Sequence, residues 1–206
     1  MRIFVTALTL AVALACSAFA GNVALSPGAT ATCEGTPTPC QLSGYGASLT
    51  IDGLGYLANP ADEWVAPGGT ANPAVLVNLG AAYNIDYITI TGVGNVGNQI
   101  QFELFVGTNG ALSSTNTGVG TLVPGSLTTQ TATGTGAWSD TFAVSPFTPI
   151  QYILYDVTGS YGGSKTTGWD DAYANDIIAD AVPEPGTIGL IGAGLLALGF
   201  TLRRKK

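Results

Sequence analysis

The 206-residue chain contains no histidine. That excludes an ordinary Ser-His-Asp triad and any imidazole metal ligand. Bases are nearly as scarce, with six Lys and Arg against thirteen Asp and Glu and a formal net charge of −7. Five of the six bases sit at the two ends (Arg2, Arg203, Arg204, Lys205 and Lys206). Residues 21–182 therefore carry twelve acids and one base, Lys165, or 1 − 12 = −11. So acidic a body suits neither nucleic acid nor an anionic membrane surface, both of which attract clustered cations. It suits an exported soluble protein, or one that takes a hard cation. Charged residues are only 9% of the chain, so surface polarity falls to Thr, Ser, Asn, Gln and Gly. A sustained helical period is missing from the body as well.

The ends carry what the body lacks. Arg2 precedes an apolar run from Ile3 to Ala15, and Ala18-Phe19-Ala20 places small residues where a signal peptidase reads. Cleavage by signal peptidase is expected between Ala20 and Gly21. Cys16 raises a lipoprotein reading, but the preceding Ala13-Leu14-Ala15 lacks a leucine three residues before the cysteine. At the other end stand Val182-Pro183-Glu184-Pro185, an uncharged stretch from Gly186 to Leu202, and the basic cluster Arg203 to Lys206. Seventeen residues make about 25 Å of helix, short for a bilayer core of about 30 Å, so the span needs thinning or snorkelling flanks. Cations at its end stay on the cytoplasmic side and halt export there.

This order of Pro183-Glu184-Pro185, apolar span and terminal Arg/Lys cluster resembles the C-terminal sorting signal of bacterial PEP-CTERM proteins. The resemblance implies a two-membrane envelope, recognition by an exosortase and cleavage near the tripeptide. It also implies transient inner-membrane anchoring, then residence on the outer cell surface or in the extracellular matrix. An ordinary tail anchor is the plainer alternative, although it does not require Pro-Glu-Pro. The expected plan is a signal peptide over 1–20, an N-terminal segment over 21–42, a sandwich over 43–181 and a sorting signal over 182–206. Its transmembrane helix covers 186–202 and its basic tail 203–206.

Two cysteines remain after signal removal, Cys33 and Cys40. In an oxidising compartment they are expected to form a disulfide closing a short loop. Zinc is the sharper alternative, but two thiols without a histidine do not complete a site.

Strand signals fill the rest. Ser43 to Asp52 contains a short alternating segment. Ala74 to Leu79 and Tyr83 to Thr91 read as two strands separated by Gly80, with Ile85, Tyr87 and Thr89 on one face and Ile88 and Ile90 on the other. Further strands are expected at Gln99 to Val106, Trp138 to Val144, Gln151 to Val157 and Asn175 to Ala181. Gly107 to Gly136 reads as a long hairpin loop with a weak strand around Gly120 to Val123. The fold class is all-β, a sandwich.

The order of Ile51-Asp52-Gly53, Trp64, Val75 to Gly80 and Tyr83 to Ile88 is similar to discoidin-type, galactose-binding-like domains. Gln101 to Val106, Trp138, Phe142, Gln151 to Tyr155 and Ala174 to Ala179 continue the likeness. It implies an eight-stranded jelly roll over roughly residues 40 to 181, with Trp64 at a core position. It further implies a structural Ca²⁺ held by the residues matching the family's "DG" loop and last strand, Asp52 and Asp176. Here Asp176 replaces a glutamate and Asn78 an aspartate, and the loop before Trp64 is expanded by Asn59 to Glu63. Without calcium, Asp52 merely starts a turn with Gly53 and Asp176 is a solvated strand residue.

Catalytic signals are poor. Asp62-Glu63 and Asp170-Asp171 are adjacent pairs, and neighbours in an extended chain point apart instead of bracketing a glycosidic bond. Gly92 to Gly97 partly mimics a nucleotide loop but leads into a strand, so a turn is the better reading. No enzyme activity is expected. Tyr56, Trp64, Tyr161 and Trp169 fall in expected loops, where aromatics can stack on sugar faces. Trp169 and Tyr161 are the candidates for a sugar-facing role. Two function classes follow: a surface or matrix protein binding extracellular polysaccharide, or a structural surface protein without a specific small ligand.

Overall fold

Alternating β-branched and aromatic residues pack best on a pleated surface, and in the computed structural model they form ten strands among the described residues. These are β1 (Thr30–Thr36), β2 (Trp64–Ala66), β3 (Ala71–Val93), β4 (Gln99–Gly107), β5 (Thr121–Leu122), β6 (Thr128–Thr131), β7 (Ala137–Ala143), β8 (Pro149–Tyr161), β9 (Ala172–Ala174) and β10 (Asp176–Ala181). The structure describes residues 21–36, 40–54, 63–67, 70–93, 99–131, 137–145, 148–161, 172–174 and 176–182. Nearly all belong to one unit, Asn22–Ala181. The expected signal peptide and most of the expected sorting tail lie outside the described residues. Among the described residues, no helix is long and apolar enough to cross a membrane.

All pairings are antiparallel. One sheet runs β1–β3–β8–β4, with β5 and β6 successively along the far edge of β4. The other places the second half of β3 between β7 and β10. The 23-residue β3 therefore serves both layers of the sandwich. Sequence reading expects two strands here, and the structure shows one strand with a bend between Asn78 and Tyr83. Gly80 takes φ +78°, and Asn78 Oδ1 accepts its N–H at 2.9 Å. A side chain there would meet the carbonyl oxygen of Gly28 at 3.0 Å.

A second irregularity corrects the expected faces of β3. Ile85 pairs with Ala181 and Tyr87 with Asp180, so Asp86 is passed over. The bulge turns both Ile85 and Ile88 into the core and leaves Tyr87 outside. The expected strand in Ser43 to Asp52 is instead a 3-10 turn, Ala47–Ile51. Thr50 Oγ1 donates to the Ala47 carbonyl at 2.8 Å and Gln41 Oε1 accepts the Ala47 N–H at 3.1 Å. Ala47 and Thr50 are the buried residues, a spacing of three that suits a 3-10 turn and not a strand.

Segment 21–42 was expected to precede the sandwich, yet it supplies β1, paired with β3 from Thr30↔Asn78 to Thr36↔Ala71. The Cys33–Cys40 disulfide forms as expected, with Cα atoms 5.9 Å apart. It joins β1 to a segment whose Leu42 N–H reaches the Val65 carbonyl at 2.8 Å.

β4 alternates without a break, burying Ile100, Phe102, Leu104 and Val106. Phe102 is the hub of the core. It stacks on Trp138 at 5.7 Å and lies edge-on to Phe142 at 6.0 Å, both on β7, and meets Tyr155 of β8 at 4.9 Å. Each such aromatic pair contributes about 0.5–1.5 kcal/mol beyond its buried area.

Candidate functional site

Strand register brings three connections to one end of the sandwich. Gln99 pairs with both Thr131 and Tyr161, so β4, β6 and β8 have ends side by side. Val93, paired with Ala137, lies one connection of residues 94–98 from Gln99. Connections 94–98, 132–136 and 162–171 thus depart from neighbouring strand ends. Asp176 belongs to the same end, since it opens β10 opposite Thr91. Loops that leave one end of a β-sandwich are where such folds commonly present ligand-binding groups.

The sugar-facing candidates fall there unevenly. Tyr161 is the last residue of β8, opposite Gln99, and not part of a loop as expected. Trp169 belongs to 162–171 and lies outside the described residues, as does Tyr56. Trp64 is not a loop aromatic either. It opens β2, is fully buried, and meets Tyr155 edge-on at 6.3 Å, the core role implied by its match.

Asp52 ends the 3-10 turn, and its Oδ1 accepts the Leu54 N–H at 3.0 Å while Gly53 takes φ +73°. It is exposed, a turn-forming aspartate that bonds two residues ahead. Asp176 is not the solvated strand residue of the alternative reading, for it is only 6% exposed. Its backbone N–H donates to Thr91 Oγ1 at 3.0 Å. Calcium takes six to eight oxygens. Among the described residues no group of three or more acidic or cysteine side chains gathers closely enough to hold a metal ion. A calcium at Asp52 and Asp176 would thus draw most of its ligands from elsewhere, and residues 55–62, the loop expected to lend carbonyls, lie outside the described residues. The described donors alone do not complete the site.

A second group of carboxylates was missed by sequence reading. Glu34 of β1 pairs with Ala74 of β3, Ala74 with Asp156 of β8, and Asp156 with Glu103 of β4. They form one lateral row on the sheet face away from the aromatic core. Asp156 is buried, and desolvation, with repulsion from Glu103 and Glu34, pushes its carboxyl up to about 7. Its one sequence signal was an acid inside the expected strand Gln151 to Val157, but strand register cannot be read from one strand.

The far end of the chain matches a known motif. Residues 181–205 match the PEP-CTERM protein-sorting motif.

The chain carries a PEP-CTERM sorting motif.

No curated protein matches this chain in sequence. Solved structures resemble its sandwich. A family 32 carbohydrate-binding module from NanJ of Clostridium perfringens, in complex with galactose, superposes with a TM-score of 0.53 at 21% identity, over 79% of this chain and 99% of that one. The family 32 module CpGH89CBM32-4 from the same organism gives 0.50 at 18% identity, over 77% and 97%. An f-lectin from striped bass (Morone saxatilis) serum gives 0.51 at 18% identity, over 80% of this chain and 50% of that one. This likeness shows a jelly-roll, galactose-binding-like sandwich fold, and the sorting motif follows it in the sequence.

Proposed function

We propose that this chain is an exported, non-catalytic carbohydrate-binding protein of the outer cell surface or extracellular matrix. Signal peptidase frees Gly21, residues 186–202 hold the chain transiently in the inner membrane, and an exosortase cuts near Pro183-Glu184-Pro185. The delivered sandwich then binds a cell-surface or extracellular polysaccharide through the end where 94–98, 132–136 and 162–171 depart. The observation that carries this reading is the sorting motif following directly on a sandwich shaped like carbohydrate-binding modules. Trp169 and Tyr161 are the stacking residues in this reading, because Tyr161 closes β8 at that end and 162–171 leaves from it. A body without histidine, whose acid pairs at Asp62-Glu63 and Asp170-Asp171 are adjacent in sequence, supports binding without turnover.

A structural calcium at Asp52 and Asp176 is part of the reading. Support comes from the burial of Asp176 and from the Asp52-Gly53 turn.

One preparation tests both halves: the surface-exposed form purified from its native cell. Mass spectrometry is expected to find an N-terminus at Gly21 and no residues beyond the Pro183-Glu184-Pro185 region. An intact Arg203 to Lys206 terminus overturns the sorting reading. On a glycan array the same protein is expected to bind a defined set of sugars, and Trp169→Ala to weaken that binding at least tenfold, the loss of one stacking contact of about 1.5 kcal/mol. A silent array from correctly folded protein overturns carbohydrate binding and leaves the structural surface role.

A further inference from the structure

Among the described residues, the row Glu34, Asp156 and Glu103 has no cation to face. The described residues contain no lysine or arginine. On this face β3 contributes Ala74 and Leu76, and β8 contributes Leu154 and Tyr152 beside Asp156. Like charges directly across antiparallel strands repel one another, and Asp156 and Glu103 are such a pair.

The connection over 108–120 lies on the same face and holds no ionisable side chain. Leu112 is 1% exposed and packs on Ala74 and Leu154, the residues across from Asp156 and two before it. Ser114 donates its N–H at 2.9 Å and its hydroxyl at 3.4 Å to Glu34 Oε2. Asn109 and Asn116 brace the segment: Asn109 Oδ1 accepts the Ala111 N–H, and Asn116 Nδ2 donates to the Ala111 carbonyl. This strap is thus bonded through Ser114 to Glu34 of the acidic row and seated by Leu112 on Ala74, the cross-strand partner of Asp156, and on Leu154, two residues before it.

We propose that Asp156 is a proton-operated latch for the 108–120 strap, closed while its carboxyl is protonated and loosened when the proton leaves. An ionised Asp156 must regain water and stands in line with two further anions. Lifting Leu112 admits water, and the same movement separates Ser114 from Glu34. The closed strap therefore favours the protonated acid, and the open strap lets the carboxyl titrate in its ordinary range. The sign follows from linkage. Opening grows as pH rises above the ordinary carboxylate range, by at most tenfold per pH unit, and levels off above about 7.

Amide hydrogen exchange on the full chain, corrected for the intrinsic pH dependence of exchange, tests the latch. From pH 5 to pH 7 protection of the Leu112, Ser114 and Asn116 amides is expected to fall tenfold to a hundredfold. Amides of Ile153 and Tyr155 in β8 are expected to hold. Asp156→Asn should make strap protection independent of pH. Glu103→Gln keeps the acid but removes one repulsive neighbour, so it should shrink the fall. Equal loss of protection in β8, an unchanged slope in Asp156→Asn, or restored protection at pH 7 on adding millimolar calcium each overturns the proposal. The last outcome would assign the row to a cation.

Discussion

Gly92 shows how a residue can look like one thing in sequence and be another in space. In sequence it opens Gly92 to Gly97, a stretch suited to a turn. In the structure Gly92 is still inside β3, paired with Trp138 of β7, and the indole lies across its bare Cα. A methyl group there would come within 2.3 Å of Trp138 Cζ2. Gly92→Ala is therefore expected to displace Trp138 from its stack on Phe102, at a cost of about 1–3 kcal/mol. Urea denaturation followed by tryptophan fluorescence checks this, and an unchanged midpoint would mean the ring moves aside freely. Asp176 teaches a related lesson. Its position could be matched from the resemblance, but its burial depends on what covers the start of β10, which no local pattern records.

Elements were legible where the residue period is local. β4 carries strict alternation and β7 two aromatics four apart on one face, and the structure returns both within a residue of their expected limits. β1 was missed because TATCEGT mixes small and polar residues, and its strand state comes from its pairing with β3. The loop expected over Gly107 to Gly136 likewise hides β6, a run of Thr and Gln that pairs along β4. As an edge strand, β1 depends on its staple. Reducing Cys33–Cys40, or replacing both by serine, is expected to cost about 2 kcal/mol by the entropy of a short closed loop. Equilibrium denaturation with and without reductant measures it, and equal midpoints would show that β1 is held by its ladder alone.

On the scale of the whole molecule, both ends of the body converge on one strand. Asn22 bridges to Asp180, and its Oδ1 accepts N–H groups from Ala24 and Ala179, each at 3.0 Å. If calcium ties the sandwich through Asp52 and Asp176, EDTA is expected to lower its melting midpoint and excess Ca²⁺ to restore it. A midpoint indifferent to both removes the ion. The sequence by itself determined the sorting signal, the disulfide pair and the all-β class, because each rests on contiguous composition or on a period of two along one strand. Only the tertiary structure decided which strands adjoin. Lateral register, set by packing across the sheet, turned Glu34, Asp156 and Glu103 into one row and brought connections 94–98, 132–136 and 162–171 to one end.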